Sequence, residues 1–215
     1  MRSIIAMILF CMLSCFTYAQ KIVEKHLNYS SGKNIELNLQ IADSIRVITW
    51  NKNEVYAKAS ININDNKDND VYTTDFDESG SRVSVKAKMD EDKARKMWND
   101  SCNCRCTRSK IYWDFYIPEN ASLSVETING DITISGKTSE IRAKSISGFI
   151  DLAFAEARKA DLQMSTISGT IYTNVALIKA RGHRGGNEVA SEYNGGGEKV
   201  ELETISGDIF LRKAE

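Results

Sequence analysis

A short pattern that ends in glycine recurs through the second half of this chain, and it constrains the fold more than any other feature. The clear copies are Thr127-Ile128-Asn129-Gly130, Ser145-Ile146-Ser147-Gly148, Thr166-Ile167-Ser168-Gly169 and Thr204-Ile205-Ser206-Gly207, and a degenerate copy is Gly182-His183-Arg184-Gly185. The successive glycines are 18, 21, 16 and 22 residues apart. Self-similarity at such a period is typical of a stacked repeat with one supersecondary unit per copy.

Apolar residues alternate with other residues on both sides of each glycine. Seven and five positions before the glycine stand Leu123 and Val125, Ile141 and Ala143, Leu162 and Met164, Ile178 and Ala180, and Val200 and Leu202. Two and four positions after it stand Ile132 and Ile134, Ile150 and Leu152, Ile171 and Thr173, Asn187 and Val189, and Ile209 and Leu211. Period-two alternation predicts a strand with one buried face on each side of a corner. We call this unit of strand, glycine corner and strand a rung, and we expect positive φ at its glycine.

A single rung cannot fold alone. It buries about four large apolar side chains at roughly 1.5–3 kcal/mol each, whereas ordering about twenty residues costs roughly 1–2 kcal/mol per residue. The rungs must therefore stack, and the sequence predicts an all-β protein, a β-solenoid of glycine-cornered rungs. A meander or sandwich with chance similarity at the corners is the alternative. In the solenoid we expect Ile146 and Ile167 to be core residues of adjacent rungs, and Ser147 and Ser168 to tolerate substitution.

The outward positions before each glycine carry charges that suit stacking in sequence order. Six and four positions before the glycine are Ser124 and Glu126, Arg142 and Lys144, Gln163 and Ser165, Lys179 and Arg181, and Glu201 and Glu203. Opposite charges on adjacent strands stabilise a sheet and like charges destabilise it. We therefore expect Glu126 beside Lys144 or Arg142, and Glu201 or Glu203 beside Lys179 or Arg181.

The first 19 residues have the organisation of a secretory signal peptide. Arg2 precedes an apolar run at residues 4–13, and Thr17-Tyr18-Ala19 precedes Gln20, which matches a positive region, a short apolar region and a cleavage site. Lipoprotein processing at Cys15 is an alternative that the leucine beside Ser14 fits poorly. We therefore predict a signal peptide at residues 1–19, one domain at residues 20–215, and an exported protein of the periplasm, cell surface or medium.

The overall charge and hydropathy restrict the partners. The formal net charge is −1 at pH 7, which argues against nucleic acid as a partner. No stretch after the leader is apolar enough to span a bilayer. The partner is expected to be an envelope protein or a glycan, and the oligomeric state is left open.

The N-terminal half contains further strand patterns. Residues 45–51 fit the rung template with Ile45 and Val47 buried, Trp50 near the corner and Lys52 in place of the glycine. Alternation continues through Val55, Ala57, Ala59 and Ile61. Residues 82–88 and 111–117 also alternate, and the second of these strands ends at Pro118. Residues 90–98 are the one expected helix, with Asp90 as its cap and Ala94, Met97 and Trp98 as its apolar face.

Two segments raise the question of a metal. Cys102, Cys104 and Cys106 alternate along the chain, and they could bind a soft metal, form a strained disulfide or remain in a loop, but no zinc spacing or fourth ligand is apparent. The acidic turn at residues 65–70 has Lys67 where an EF-hand requires a ligand. We predict no metal and no cofactor.

The order of these elements resembles a known family. Ile45-Arg46-Val47, then a strand that ends Tyr116-Ile117-Pro118-Glu119-Asn120, then repeated Thr-Ile-Ser-Gly-Asp-Ile units, are similar to the bacterial putative-adhesin family of β-strand-repeat proteins, a domain of unknown function. The resemblance covers roughly residues 40–212. It implies a right-handed, β-helix-like fold, an exported or surface location and, for some relatives, a role in envelope-stress signalling. It implies no catalytic residues.

The sequence favours binding over catalysis. No Gly-x-Ser-x-Gly, His-Glu-x-x-His or phosphate-loop motif is present, and His183 occupies a repeat position. Outward positions after the glycines include Phe149, Tyr172 and Phe210 beside carboxylates, which suit sugars or an extended partner, although these rings could instead pack against the 111–117 strand. We expect a non-enzymatic adhesion or interaction module. An envelope-stress sensor and a carbohydrate-binding or carbohydrate-active β-helix protein are the alternatives.

Overall fold

The computed structural model describes residues 20–99, 108–181 and 187–214, with the backbone alone for 97–99 and 178–181. The predicted signal peptide with Cys15, the three cysteines at 102, 104 and 106, and the degenerate repeat copy with His183 lie outside the described residues. The predictions about them therefore remain predictions.

The described residues form 16 strands and one α-helix, together with a 3-10 turn at Asn69–Val71, so the predicted all-β class is confirmed. The strands are β1 (Lys21–Asn28), β2 (Asn34–Leu39), β3 (Ile41–Trp50), β4 (Glu54–Ile63), β5 (Tyr72–Asp77), β6 (Arg82–Met89), β7 (Ser109–Pro118), β8 (Ser122–Ser135), β9 (Ile141–Ser147), β10 (Ile150–Phe154), β11 (Ala160–Thr166), β12 (Ile171–Thr173), β13 (Ile178–Arg181), β14 (Asn187–Tyr193), β15 (Glu198–Ser206) and β16 (Ile209–Lys213). The helix is α1 (Glu91–Asn99), and Asp90 caps it as predicted by accepting the Lys93 backbone N–H at 3.0 Å.

The strands form two layers that share the long strand β8. Layer one runs β5-β6-β2-β8-β9-β15-β11-β14-β13, and layer two runs β1-β4-β7-β3-β8-β10-β16-β12. Residues 122–129 of β8 pair within layer one, and residues 131–135 pair within layer two. The chain thus passes from one layer to the other at the corner around Gly130.

The inner faces of the two layers enclose one continuous core. Trp113 of β7 donates its indole N–H to the Tyr72 hydroxyl of β5 at 3.1 Å, and that hydroxyl donates to the Ile41 carbonyl at 2.9 Å. At the other end, the rings of Phe154 and Tyr193 meet edge to face at 5.4 Å. The layers are therefore joined by aromatic contacts at both ends of the core.

The rungs do not stack in sequence order. Strand β15 of the last rung lies between β9 of the second and β11 of the third, and it is parallel to both. In layer two, β16 correspondingly lies between β10 and β12. Strand β14 runs antiparallel to β11, on the side of β11 that faces away from β15. After β14 the chain turns at residues 195–197 and crosses to the other side of β11, where it forms β15. The expectation of neighbouring fourth and fifth rungs is wrong.

The charge complementarity is present, but with a different partner for the last rung. Glu126 lies directly opposite Lys144, as expected. Glu201 and Glu203 lie opposite Arg142 and Lys144 rather than beside β13. The basic strand β9 therefore has acidic neighbours on both sides, which favours placing β15 next to it.

The N-terminal rung lies one strand earlier in the chain than predicted. Ile45 and Val47 are buried as expected, but they pair with Ile132 and Ile134, which follow the corner. Strand β2 supplies the preceding half, and the Gln40 carbonyl accepts the backbone N–H groups of Ile128 and Asn129. The corner of this rung thus lies between β2 and β3, and Lys52 does not occupy it.

The isoleucine before each corner is exposed, and the prediction that Ile146 and Ile167 are core residues is wrong. Their side chains are 46% and 75% exposed. The physical reason is the strand period itself: residues seven, five and three before the glycine face the core, so the residue two before it faces outward. The last buried residues before each corner are instead hydroxyl residues: Thr127, Ser145, Thr166 and Thr204.

The corner glycines are required mainly because stacked backbones approach closely. A Cβ built on Gly148 would overlap the carbonyl oxygen of Gly130, one on Gly207 that of Gly148, and one on Gly169 that of Gly207. Positive φ occurs at Gly130 (157°) and Gly148 (139°) but not at the other two corners. Close approach is therefore the shared reason, and the positive-φ expectation holds for only part of the set.

Candidate functional site

The predicted outward aromatic residues come together on layer two. Residues of β10, β16 and β12 that lie opposite one another share a face, and Tyr172 lies opposite Phe210. The rings of Tyr172 and Phe210 stack at 5.2 Å with an 11° interplanar angle. Phe149 meets Phe210 edge to face at 6.0 Å. These three residues, which we call the ring cluster, contact one another rather than the 111–117 strand, because β8 and β3 lie between that strand and the strands β10, β16 and β12 of the cluster.

The ring cluster leaves part of its apolar area open to solvent. Tyr172 is 49% exposed, whereas Phe149 and Phe210 are half-buried. The two stacked rings belong to adjacent parallel strands, whose side chains leave the sheet in the same direction. The cluster therefore presents ring surface at one end of layer two, where β12 is the last strand of the layer.

Polar groups surround the ring cluster and hold the neighbouring strands in register. Asp151 lies opposite Phe210 and accepts two hydrogen bonds from Arg212, at 2.8 and 2.5 Å. Asp131 accepts the backbone N–H of Phe149 at 3.1 Å. Asp208 accepts the backbone N–H of Thr170 at 2.8 Å. The carboxylates thus combine a structural role with acceptor capacity beside the rings, because each oxygen has two lone pairs.

A second aromatic group lies at the opposite end of the same outer face. Trp50, Tyr56 and Tyr116 contact one another with ring centroids 5.4 to 6.3 Å apart, and His26 lies 4.7 Å from Tyr56. The Lys52 ammonium stands 4.5 Å from the centre of the Trp50 ring. Sequence reasoning missed this group, although Tyr116 alternates with the buried Phe115 and Ile117 and could have been assigned to the outer face.

A column of alternating charges connects the two aromatic groups. From β1 inward, successive opposite positions hold Glu24, Lys58, Asp114, Arg46, Thr133 and Asp151. Lys58 pairs with Glu24 at 2.9 Å, and Arg46 pairs with Asp114 at 2.7 Å.

Ion pairing shifts pKa values in this column so that the charged forms are favoured. The hydrogen bond and the charge of Lys58 lower the pKa of Glu24, and Glu24 in return raises the pKa of Lys58. The same two effects from Asp114 raise the pKa of Arg46. Each charge is thus matched by its neighbour, so this face favours stacking and neutral hydrogen bonding over recognition of a charged ligand.

Residues considered for metal or acid-base chemistry are dispersed in the described part of the chain. Among these residues, no three His, Cys, Asp or Glu side chains cluster suitably for a metal ion. His26 is exposed and lies 3.2 Å from the Glu54 carboxylate. In the acidic turn at residues 65–70, side-chain amides satisfy the backbone, since Asn69 accepts the Ile63 N–H at 2.8 Å and Asn62 accepts the Asn66 N–H at 3.0 Å.

No helix in residues 20–99, 108–181 and 187–214 has the length and apolarity needed to cross a bilayer.

The repeat region matches a described protein family. Residues 119–212 match the model of the Toastrack DUF4097 family. Among solved structures, a putative cell adhesion protein from Clostridium sporogenes is 11% identical, with a TM-score of 0.56, over 91% of this chain and 100% of its own. This similarity shows a shared fold.

Two further solved structures align with lower scores. A putative adhesin from Bacteroides fragilis is 8% identical with a TM-score of 0.26, over 91% of this chain and 98% of its own. A putative adhesin from Parabacteroides distasonis is 8% identical with a TM-score of 0.23, over 90% and 97%. No curated protein matches the chain. The resemblance to the bacterial putative-adhesin family is confirmed.

Proposed function

We propose that this protein is an exported, non-enzymatic adhesion module that binds glycan chains at the ring cluster of layer two. The observation that carries the proposal is the stacked pair of Tyr172 and Phe210, with Phe149 at its edge, on an outward face. Sugar rings bury their C–H faces against aromatic rings, and their hydroxyls need acceptors nearby. Asp151 and Asp208 provide carboxylate oxygens beside these rings.

The neutrality of the outer face favours an uncharged or weakly charged glycan. Every charge in the column from Glu24 to Arg46 has an opposite neighbour on the adjacent strand. An anionic polymer would have to compete with these existing pairs and would gain little at a screened surface. The adhesion role is supported only through the fold, which is shared with the putative cell adhesion protein of C. sporogenes.

The same proposal includes the single domain, the handedness of the coil and the export of the protein. Residues 20–215 form one solenoid domain with a right-handed coil, exported by the leader at residues 1–19. Support for one domain comes from the continuous core, which includes residues from Leu27 to Leu211. Support for export comes from the composition of the leader.

A glycan array with two matched variants tests the proposal. The purified chain should bind one or more neutral glycans, and Tyr172→Ala/Phe210→Ala should lose that binding by at least tenfold in titration calorimetry. The control is Tyr112→Ala, since Tyr112 is a 44% exposed tyrosine on another strand of layer two. Thermal melts establish that each variant is folded.

Two outcomes would contradict the glycan proposal. One is unchanged binding by Tyr172→Ala/Phe210→Ala, and the other is the absence of glycan binding on the array. In the second case, retention of a membrane protein from intact envelope would favour the envelope-stress sensor.

A further inference from the structure

Layer one carries an exposed apolar ladder on the face opposite the ring cluster. Its members are the isoleucines two positions before the corner glycines: Ile128, Ile146 and Ile205 on the consecutive strands β8, β9 and β15, and Ile167 directly after the end of the next strand, β11. Their exposed fractions lie between 42% and 75%. Adjacent strands are about 4.8 Å apart, so the ladder is a narrow, flat stripe. We call it the isoleucine ladder.

The charged residues beside the ladder are distributed asymmetrically. Strand β9 carries the basic pair Arg142 and Lys144, and its neighbour β15 carries the acidic pair Glu201 and Glu203. Lys144 and Glu203 form an ion pair within the sheet. All four side chains leave the same face as the isoleucines, because they are two and four positions earlier on the same strands. A groove of about 360 Å³ includes Lys144, Glu203, Ile146 and Ile205 among its lining residues.

This arrangement is self-complementary about one particular two-fold axis. An axis parallel to the strands, midway between β9 and β15, reverses the order of the strands in a second copy laid face to face. Ile146 then faces Ile205 of the second copy, and Ile128 faces its Ile167. The basic pair on β9 faces the acidic pair on β15 of the other copy, in both directions.

The alternative two-fold arrangement does not pair opposite charges. An axis perpendicular to the strands, along the isoleucine row, places each isoleucine opposite the same isoleucine of the second copy. It also lays each strand over the same strand of the second copy, so the basic pair on β9 never faces the acidic pair on β15. Charge complementarity therefore favours the first arrangement.

We propose that the outer face of layer one is an interface between two copies of this chain, with the isoleucine ladder at its centre and the β9 and β15 charges pairing across it. The contact is isologous, as is usual for homodimers, and joins two sheets face to face with aligned strands. The apolar ladder supplies the central contact, and its charges supply register and orientation.

The dimer leaves layer two of both copies free. The ring clusters of the two copies would then lie on opposite sides of the assembly, and a polyvalent surface could engage only one of them at a time. The dimer would thus connect two surfaces, as an adhesion module requires. This inference goes beyond the glycan proposal and uses a different face, so either can fail alone.

Charge-reversal variants with a mixing experiment test the interface. Sedimentation equilibrium of the purified chain should show a concentration-dependent dimer. Arg142→Glu/Lys144→Glu and Glu201→Lys/Glu203→Lys should each dissociate at least tenfold more readily, since each presents one sign of charge to its own copy. An equimolar mixture of the two should recover a heterodimer, because the acidic face of one then meets the basic face of the other.

An uncharged substitution provides an independent arm. Ile146→Ser/Ile205→Ser should also weaken the dimer at least tenfold, whereas Ile22→Ser should leave it unchanged, since Ile22 is a comparably exposed isoleucine on β1 (48%). A chain that stays monomeric at all concentrations overturns the proposal. So does a dimer that persists in Ile146→Ser/Ile205→Ser, or a charge-reversed mixture in which no heterodimer forms while both variants remain folded by circular dichroism.

Discussion

Thr204 donates its side-chain hydroxyl to the carbonyl oxygen of Gly148 at 3.1 Å, although 56 residues separate the two in sequence. The same contact joins Ser145 to Gly130 at 3.2 Å and Thr166 to Gly207 at 2.9 Å. Three of the four buried corner hydroxyls thus bind the corner glycine of the strand beside them, whereas Thr127 donates to the Asn129 carbonyl of its own strand. The corner is therefore a unit made of two adjacent rungs, because the glycine and the hydroxyl residue of one rung both contact the glycine carbonyl of the same neighbouring rung.

Loss of a corner hydroxyl should destabilise the fold without changing its shape. Thr204→Val keeps the volume but removes a donor from the Gly148 carbonyl, and leaving a buried acceptor unsatisfied costs about 1–3 kcal/mol. Urea denaturation should show that loss in the free energy of unfolding. Thr170→Val is the control at an exposed position, and an equal loss there would contradict the role assigned to the corner hydroxyl.

A methyl group at a corner should be costly for a steric reason. In Gly207→Ala the new Cβ would overlap the Gly148 carbonyl oxygen, and Gly207 has no positive φ to add a conformational cost. Overpacking of this kind costs about 1–3 kcal/mol or more. Gly32→Ala should be unfavourable for a conformational reason instead, because φ is 88° and no atom lies within 4 Å of the new Cβ. Only about 1–2 kcal/mol of backbone strain is expected there.

Chemical denaturation of Gly207→Ala and Gly32→Ala separates the two effects. If Gly207→Ala unfolds as readily as the wild-type chain, the backbones at the corner are not in the close contact described above.

The exposed Ile146 and the buried Ile150 should respond very differently to truncation. Ile150 is fully buried and Ile146 is 46% exposed, four residues earlier. Ile150→Ala should cost about 2–5 kcal/mol because it creates a cavity, whereas Ile146→Ala should cost less than about 1 kcal/mol. Thermal or urea melts measure both, and a larger loss for Ile146→Ala would restore the core register that the structure contradicts.

Tyr72 should make stability fall at high pH. Burial raises the pKa of Tyr72 to about 12, compared with about 10 in an unfolded chain. The native state therefore keeps the Tyr72 proton in the window between these values while the unfolded state loses it. Stability contributed by this group is complete below about pH 10 and falls by about 1.4 kcal/mol per pH unit up to about pH 12.

Tyr72→Phe should remove the part of this pH dependence of stability that comes from the Tyr72 hydroxyl. It should also lose the hydrogen bonds to Trp113 and Ile41, so the variant should be less stable at neutral pH but decline less steeply. Urea denaturation at several values between pH 9 and 11.5 gives both slopes, and parallel slopes for the two proteins would show that Tyr72 titrates normally.

The leader predicts the mature N-terminus. Cleavage before Gln20 should give a secreted chain that begins at that residue, and intact-mass analysis of the exported protein measures it. A lipidated N-terminus at Cys15 would instead place the protein on a membrane.

The strands and corners of the individual rungs could be predicted from local residue patterns. Alternation around Gly148, with Ile141 and Ala143 before it and Ile150 and Leu152 after it, was sufficient to define two strands and a corner, because period two leaves only one choice of buried face. The three strand predictions at β4, β6 and β7 were equally local. The outward position of Phe149, Tyr172 and Phe210 also followed from the alternation.

The tertiary structure alone decided which units are neighbours. Rungs with the same period and the same core residues can stack in more than one order, so β15 could not be placed between β9 and β11 from spacing. The contact between Tyr172 and Phe210 depends on that order, since 38 residues of sequence separate strands that lie side by side. The aromatic group around Trp50 and Tyr116 and the isoleucine ladder likewise exist only through strand pairing, because neighbouring strands contribute one residue each to a shared face.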